Sequence, residues 1–342
     1  MATKPQEGAT VGGYLSGSLT TGEPDVTGPM VVYPVFGPDP TQEYTSVSRA
    51  QALGLTVKEQ SGGGSVGDLI VSNPTGSAVL IYEGEEVLGG QQNRTFDKSL
   101  LIGPGESLTV PVSCVEAGRW DGSRNREEFR SSPQTADPDL RRRKARAANR
   151  NRESGLEERA DQMEVWSMIA ARSASLGVHS TTNASSDAFE THRERLHARS
   201  SEINLREGQI GMVFQVGDRV LALDLISRPD VFADLHAPLV QGYCLDALDQ
   251  NYKPRVDGTS YADRFLLKVV GNRVFESDGI SLGRGFRFEN ERAVGTGLVA
   301  GEELIQLSVF TNRPDDAGPN DAGPATQPTR RTRIIRPSRR QP

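Results

Sequence analysis

The sequence predicts an α+β fold, with an N-terminal antiparallel β-rich sandwich or barrel-like sheet, a helical middle and a C-terminal α/β portion. Short apolar runs separated by Gly- and Pro-containing turns fill residues 28–130. Helical periodicity replaces them over residues 131–207, and both patterns occur in residues 208–310. We expect the three portions to pack as one unit, with helices covering one face of a sheet.

Both ends of the chain are predicted to lie outside this fold. Residues 1–27 are rich in Gly, Thr and Ser and have few apolar side chains, which is typical of a mobile, disordered leader. Residues 311–342 contain six Pro and end in an arginine-rich segment. Such a composition predicts a disordered tail.

The β-rich portion begins with a strand at residues 30–36, where Pro34 indicates an edge or a bulge. A short helix over residues 46–53 is predicted to end at Gly54, a residue that readily takes a left-handed cap. Further strands are expected at residues 55–59, 65–71, 78–82, 100–102 and 108–112. Their regular spacing favours a small antiparallel sandwich or barrel.

The helical middle begins with a strongly basic segment. Residues 141–152 contain seven Lys or Arg and no acidic residue, so we expect a helix with a solvated basic face. In the next helix Met163, Trp166 and Ile169 form an apolar stripe. A third helix is predicted over residues 186–200, and its two histidines do not have the spacing of a helical zinc motif.

The C-terminal portion mixes both element types. A hairpin is expected around Gly217-Asp218, joining strands at residues 210–216 and 219–225. Helices are predicted over residues 230–248 and 261–270, with closing strands at 274–276, 285–289, 294–299 and 304–310.

Composition limits the classes of protein to consider. Cys114 and Cys244 are the only cysteines and lie 130 positions apart, which fits neither a disulfide framework nor a metal site. No signal pattern and no apolar run of about 18 residues is present, so no membrane association is expected. We therefore expect a soluble cytoplasmic protein without a metal site, while the sequence names no cofactor.

The chemistry-bearing stretch lies between residues 83 and 120. Two clusters in it combine Gly with carboxylate, amide and guanidinium groups, on either side of a short apolar run. Core strands avoid consecutive polar residues of this kind unless those residues have partners. The stretch therefore indicates a polar site formed by Glu83-Gly-Glu-Glu-Val-Leu-Gly-Gly-Gln-Gln-Asn-Arg94 and Pro111-Val-Ser-Cys-Val-Glu-Ala-Gly-Arg-Trp120.

Within the first cluster, Gln92, Asn93 and Arg94 follow two glycines that allow the backbone to approach a ligand closely. These side chains could donate hydrogen bonds to a phosphate or carboxylate. The alternative is a hairpin in which Arg94 pairs with Glu85 or Glu86.

Within the second cluster, Cys114 could be a thiolate nucleophile whose pKa is lowered by Arg119. The alternative is a buried, unreactive thiol, because cysteine is among the most buried residue types and no well-placed histidine is evident. Strand alternation places Cys114 and Glu116 on one face and Ser113 on the other, unless a bulge intervenes.

The other motifs are weaker indications of function. The Gly-rich segment 62–67 lacks the Lys-Ser/Thr of a phosphate-binding loop, and Gly295-Thr-Gly297 does not open a helix, so both are read as turns. The basic segment 141–152 and the Arg-rich tail could make weak, salt-dependent contacts with nucleic acid. No aromatic side chains accompany the basic segment, and a solvated face is the commoner outcome.

Several of these motifs together resemble one known family. They are residues 84–94, the Pro-Val-Ser-Cys-Val-Glu run with Gly118-Arg-Trp120, residues 161–162 and 165–166, and Leu223-Asp-Leu225. They are similar to the ARG and Rhodanese-Phosphatase-superfamily-associated Protein domain, a bacterial family of unassigned function, over roughly residues 28–310. The chain departs from the family pattern at Met163-Glu164, where Gly-Arg is expected, and at Ile226, where Phe is expected.

The resemblance implies a link to NAD or ADP-ribose metabolism, because the family is named for its genomic association with ADP-ribosylglycohydrolases and rhodanese-phosphatase proteins. It marks as site residues Glu85, Gln92, Asn93, Arg94, Cys114, Glu116, Arg119, Trp120, Gln162, Trp166 and Asp224.

Three functional hypotheses follow. The first is a ligand-binding or accessory domain in which Gln92, Asn93, Arg94, Glu116, Arg119 and Trp120 recognise a phosphorylated, nucleotide-like ligand such as ADP-ribose, with weaker claims for Gln162, Trp166 and Asp224. The second is a hydrolase or transferase, whose catalytic candidates are Glu85, Glu116 and Cys114 and whose arginines stabilise negative charge. The third is a structural or interaction scaffold with a buried ion-pair network.

Overall fold

The computed structural model describes residues 9–60, 67–119, 128–277 and 279–313. Strands in these residues form three sheets, and seven helices pack against them. The prediction of an α+β fold with a β-rich N-terminal region is confirmed.

The largest sheet collects strands from both ends of the sequence. Its order is β1-β3-β13-β14-β18-β17-β16-β15, with β2 also paired to β3, and every pairing is antiparallel. The strands are β1 (Thr20–Thr21), β2 (Asp25–Thr27), β3 (Met30–Phe36), β13 (Gly211–Val216), β14 (Arg219–Ile226), β15 (Phe275–Ser277), β16 (Arg284–Glu289), β17 (Ala293–Ala300) and β18 (Glu303–Thr311).

Two smaller sheets use the strands between β3 and the helical middle. One has the order β12-β8-β9-β11-β6-β5, and the other has the order β10-β7-β4, in which β4 and β7 run parallel. The strands are β4 (Tyr44–Ser46), β5 (Thr56–Lys58), β6 (Asp68–Ser72), β7 (Ala78–Ile81), β8 (Glu85–Leu88), β9 (Arg94–Phe96), β10 (Leu100–Ile102), β11 (Ser107–Cys114) and β12 (Arg130–Thr135).

The helices lie at the predicted positions, except that one predicted helix is divided into two. Their bounds are α1 (Val47–Ala52), α2 (Pro138–Glu153), α3 (Gln162–Ser175), α4 (Ser185–Thr191), α5 (Arg193–Ser200), α6 (Pro229–Asp246) and α7 (Ser260–Val270). The single helix expected over 186–200 is two helices, because His192 leaves helical geometry at φ −107° and ψ 16° and ends α4. No helix among the described residues has both the length and the apolar character needed to cross a membrane.

The start of the chain differs from the expected leader. Residues 11–14 form a 3-10 turn, and β1 and β2 both pair with β3. Val11 and Tyr14 are buried in the same hydrophobic cluster as Leu266 of α7. Two apolar side chains therefore fix a segment whose average composition is polar. Residues 1–8 and the tail from residue 314 lie outside the described residues.

The largest sheet is buried on both faces. Alternate residues of β3 divide between two cores, so that Tyr33 packs with the α7 cluster while Val32 packs with the cluster that contains Phe232 of α6. This division follows from the two-residue period of a strand. Since β3 lies beside β13, the first predicted strand belongs to the sheet built mainly by the C-terminal portion.

The basic helix α2 is buried over its first half, so the prediction of a solvated basic face is wrong there. Arg141, Arg142 and Lys144 are at most 5% exposed. Each has a carboxylate partner, and for Lys144 this is Asp97 at 2.6 Å. Local composition could not reveal these partners, because two of the three lie far away along the chain.

Candidate functional site

Strands β8, β9 and β11 are neighbours and bring the two predicted polar clusters together. Arg94 lies directly opposite Cys114 in the register of β9 and β11. The connection from β8 to β9 requires glycine, since Gly90 has φ +50° and a Cβ there would lie 2.5 Å from the Phe129 ring. The glycines thus serve a tight turn beneath a packed aromatic side chain.

Glu116 and Arg119 form a buried ion pair, with 2.8 Å between Nη2 of Arg119 and Oε2 of Glu116. Arg119 also donates to the carbonyl of Gly90 at 2.8 Å and to Oδ1 of Asn93 at 3.2 Å. Glu116 accepts from Thr182 at 2.9 Å and from the amide of Asn93 at 3.3 Å. The pair therefore ties the turn after β8 to the segment after β11.

This network is closed. Glu116, Arg119 and Asn93 are at most 4% exposed. Burial raises the pKa of Glu116, but hydrogen bonds from Arg119 and Thr182 outweigh burial and hold that pKa below its ordinary value. A carboxylate that accepts this many hydrogen bonds is a weak base, so the geometry does not favour Glu116 as a general base.

Arg94 is 1% exposed. Its Nη1 donates to the carbonyl and to Oε1 of Gln92, at 3.1 and 3.2 Å. Its Nη2 lies 3.6 Å from Oε1 of Glu59, and its Nε has no hydrogen-bond partner. Burial lowers the pKa of Arg94. The ion-pair partner of Arg94 is thus Glu59, and not Glu85 or Glu86 as the hairpin alternative proposed.

Cys114 is a buried free thiol. Burial raises its pKa to about 11, and the neighbouring charge of Arg94 only partly opposes this. The backbone amide of Cys114 donates to Oε1 of Gln162 at 2.8 Å, and the carbonyl of Cys114 accepts from Nε2 of Gln162 at 2.9 Å. Gln162 therefore extends β11 as a neighbouring strand would. This environment is that of an unreactive thiol.

Glu85 and Glu86 are also buried, and burial raises their pKa values to about 8 and about 7. Glu86 accepts hydrogen bonds from Ser185 and Gln134. Glu85 has a long contact from Ser131 at 3.4 Å, and its Oε2 has no hydrogen-bond partner among the described residues. Among the predicted catalytic candidates, Glu85 therefore has the pKa that differs most from its ordinary value.

Two of the predicted residues, Asp224 and Trp166, lie apart from this cluster. Asp224 is in a buried network with Arg141, Tyr82 and Tyr243, which reaches the large sheet. Trp166 lies on α3 and its buried Nε1 has no hydrogen-bond partner. Trp120 falls outside the described residues.

An open cleft of about 420 Å³ lies beside β11 and the start of α3. Gln162 is the predicted site residue that lines it, together with Asp97, Ser113 and Arg159. Oδ1 of Asp97 accepts from Oγ of Ser113 at 2.7 Å and lies 2.6 Å from Nζ of Lys144. Oδ2 of Asp97 is buried and has no hydrogen-bond partner within the part of the chain that the structure describes.

Sequence reasoning did not select Asp97, Lys144 or Arg159. One signal for the cleft was present, because strand alternation already placed Ser113 on the face opposite Cys114. A second cavity, lined by Asn93, is separate from the cleft lined by Gln162. Some predicted residues, such as Glu116 and Arg119, therefore lie in the closed network, whereas Asn93 and Gln162 each line an opening. Among the described residues, no group of three or more His, Cys, Asp or Glu could hold a metal ion.

Comparison with known proteins gives one match. The family model of the ARG and Rhodanese-Phosphatase-superfamily-associated Protein domain matches residues 18–310. No curated protein and no solved structure matches the chain. The match extends from the strands that flank β3 almost to the end of β18, so it includes all three sheets and every helix described above. The chain belongs to the ARG and Rhodanese-Phosphatase-superfamily-associated Protein domain family.

Proposed function

We propose that this chain is a ligand-binding or accessory domain that takes a phosphorylated, nucleotide-like molecule into the cleft beside β11. The observation that carries the proposal is Oδ2 of Asp97, a residue that lines the cleft beside Ser113, because this buried oxygen has no hydrogen-bond partner among the described residues. A buried carboxylate oxygen without a donor is costly, and a sugar hydroxyl supplies such a donor. The cleft also falls within the roughly 300–1,000 Å³ of small-molecule sites.

Arg159 is the group that would meet the phosphate. Its side chain is 32% exposed at the edge of the cleft, with Glu157 at 2.7 Å and Asp68 at 4.0 Å. Partly exposed ion pairs of this kind are weak and exchange readily. A guanidinium binds phosphate through parallel hydrogen bonds. The family name, with its reference to ADP-ribosylglycohydrolases, supports ADP-ribose as the first ligand to test.

Direct ligand contacts by Gln92, Asn93, Arg94, Glu116 and Arg119 stay a prediction. Within this proposal Glu116 and Arg119 hold the ends of β8, β9 and β11, which position the cleft. We also propose a cytoplasmic location, because Cys114 and Cys244 do not form a disulfide and reduced cysteines are typical of a reducing compartment.

Isothermal titration with ADP-ribose and NAD tests the proposal. Binding should weaken about tenfold or more in Arg159→Gln, which loses a hydrogen bond between charged groups. Arg150→Gln is the matched control, since Arg150 is a more exposed cation that does not line the cleft. Ser113→Ala should weaken binding less. If the wild-type chain gives no heat at millimolar ligand, the proposal is wrong.

A second candidate is a hydrolase or transferase in which Glu85 is the general base. The specific support is the raised pKa of Glu85, which lies close to the range useful for acid–base catalysis, together with its free Oε2. Turnover of ADP-ribose conjugates should then be lost in Glu85→Gln while ligand binding is kept. Absence of turnover in the wild-type chain would remove this candidate and leave the binding proposal intact.

A further inference from the structure

A groove of about 540 Å³ lies between α7 and residues 12–21, the segment that ends in β1. Its lining residues differ from those of the cleft beside β11, so the two sites are separate. The volume is within the roughly 300–1,000 Å³ of small-molecule sites. A Cβ on Gly12 would lie 3.0 Å from the carbonyl oxygen of Val270, so the segment contacts α7 closely at one end of the groove. The groove therefore has two walls and room for a small organic molecule.

One face of α7 forms the first wall of this groove. Its residues follow the spacing i, i+3, i+4, i+7 of a single helix face, and they are Asp263, Leu266, Leu267 and Val270. At 1.5 Å per residue, they extend over about 10 Å along the helix. The wall is therefore apolar along most of its length and carries a carboxylate at its N-terminal end.

The second wall adds further apolar side chains. Leu15 and Leu19 line the groove and are half-buried. Leu267, which faces the same groove, is 72% exposed, the largest exposed fraction of any large apolar side chain in the described part of the chain. A single exposed leucine needs no explanation, whereas several around one groove are typical of a binding site. Covering them removes apolar surface from water, which favours an occupant with an apolar body.

The carboxylate of Asp263 gives this groove a negative charge. Among the described residues, Asp263 accepts a hydrogen bond from Oγ1 of Thr21 at 2.6 Å and forms no ion pair. The neighbouring cation on α7, Arg264, lies instead with its Nη2 at 3.8 Å from Oδ2 of Asp257. Consecutive residues of a helix do not face each other, so Arg264 belongs to another face. Asp263 is also the one ionisable residue among the described residues that line the groove.

We infer that this groove binds a small organic amine with an elongated apolar body. The ammonium group pairs with the carboxylate of Asp263, and the apolar body lies along α7 between Leu267 and Leu19. An ammonium group has three N–H donors. The hydroxyl of Thr21 gives its proton to Asp263, so its oxygen can accept from a second of these donors. A neutral molecule of the same shape lacks the ion pair, and an anion is repelled by Asp263.

Three probes of one shape and different charge test this inference by isothermal titration of the full chain. They are 4-phenylbutylamine, 4-phenylbutanol and 4-phenylbutyrate. We expect the amine to bind most tightly, the alcohol more weakly and the carboxylate not at all. Equal binding of the amine and the alcohol would show that the carboxylate of Asp263 is not used, and the inference would be wrong. It also fails if the amine gives no heat at millimolar concentration.

Asp263→Asn removes the charge and keeps an oxygen that can accept from Thr21. Binding of the amine should weaken about tenfold or more, as expected for a lost hydrogen bond between charged groups, while binding of the alcohol should change little. Asp218→Asn is the matched control, because Asp218 is an exposed carboxylate in the turn between β13 and β14 and does not line the groove. An equal loss in both variants would contradict a specific site.

Leu267→Gln tests the apolar wall, and it should weaken the binding of both the amine and the alcohol. Leu53→Gln is its control, since Leu53 is 70% exposed and does not line the groove. Unchanged binding in Leu267→Gln would show that the probe does not lie along α7. Because the groove is separate from the cleft beside β11, ADP-ribose titrations should be the same in Asp263→Asn as in the wild-type chain.

Discussion

Arg141 of α2 and Asp224 of β14 form a bidentate ion pair, with 3.0 Å between Nη1 and Oδ2 and 2.7 Å between Nη2 and Oδ1. Both residues are at most 2% exposed. The hydroxyls of Tyr82, Tyr243 and Ser308 complete the hydrogen bonds of the carboxylate. Burial raises the pKa of Asp224, but the charge of Arg141 together with the hydrogen bonds from Arg141, Tyr243 and Tyr82 outweighs burial and holds that pKa below its ordinary value. Both members of the pair are thus charged, and both oxygens of the carboxylate are hydrogen-bonded.

Arg141→Met should lower the free energy of unfolding by about 3–5 kcal/mol, because it leaves a buried carboxylate without its cation. Urea denaturation measures this change. Arg143→Met is the control on the same helix, since Arg143 is 36% exposed, and it should cost less than about 1 kcal/mol. Adding Asp224→Asn to Arg141→Met should cost much less than Asp224→Asn alone. Additive losses would show that the two residues are not coupled.

Arg119→Met should also destabilise the chain by about 3 kcal/mol or more, since Glu116 would remain buried without its cation. Arg130→Met, at an exposed position of β12, is the control and should have little effect. Thermal unfolding and ADP-ribose titration should be measured on the same samples. Loss of stability with unchanged binding supports a positioning role, whereas loss of binding at unchanged stability supports direct ligand contact by Arg119.

Stability should fall as the pH rises from about 5 to about 8. The carboxyl of Glu85 has a pKa of about 8 in the folded chain and an ordinary value of 4.5 when unfolded. At pH values between these two pKa values, the folded state binds more protons than the unfolded state. The stabilisation is therefore fully present below the lower pKa and is lost as the pH rises through the higher pKa. Glu86, with a pKa of about 7, contributes in the same direction.

Glu85→Gln should therefore flatten this dependence, since glutamine does not titrate. Urea unfolding at pH 5, 6, 7 and 8 measures the slope, and Glu302→Gln, at a position 88% exposed, is the control. The pH dependence of stability that remains in Glu85→Gln is the contribution of Glu86. An unchanged slope would mean that Glu85 is ionised in the folded chain and that its burial is less complete than described.

Both cysteines should be unreactive in the folded chain. Burial raises the pKa of Cys114 to about 11 and that of Cys244 to about 12, so little thiolate forms at pH 8. Ellman's reagent should label neither thiol in buffer and both in urea. One rapidly labelled thiol that disappears in Cys114→Ser would instead support the nucleophile hypothesis.

Local sequence patterns predicted the type of most elements, because the periods that distinguish strands from helices lie within a few residues. They predicted β3, α6 and the strands of the C-terminal sheet. These local patterns do not show which residues distant in sequence become partners in the fold. The partner of Arg141 is 83 residues away, and Lys144 pairs with Asp97, which lies in the turn after β9. The basic run was therefore misjudged as a solvated face.

The candidate site shows the same limit. The polar character of residues 83–120 was recognised from the sequence, whereas the choice of Glu59 as the partner of Arg94 depends on a strand pairing outside the stretch. The cleft could not be found from sequence because its residues come from the turn after β9, from β11, and from the end of α2 through the start of α3. Cavities depend on packing between elements, which a single sequence does not display.

The position of β3 between β2 and β13 bears on how the chain is made. Phe36, the last residue of β3, is synthesised 180 residues before Val216, the last residue of β13. At about 5–20 residues per second, that interval is roughly 10–40 s. Throughout it, one edge of β3 has no strand to pair with, and its apolar side chains lack most of their core. Fragments that stop before β13 should therefore aggregate, and the N-terminal strands depend on protection during synthesis until the later half arrives.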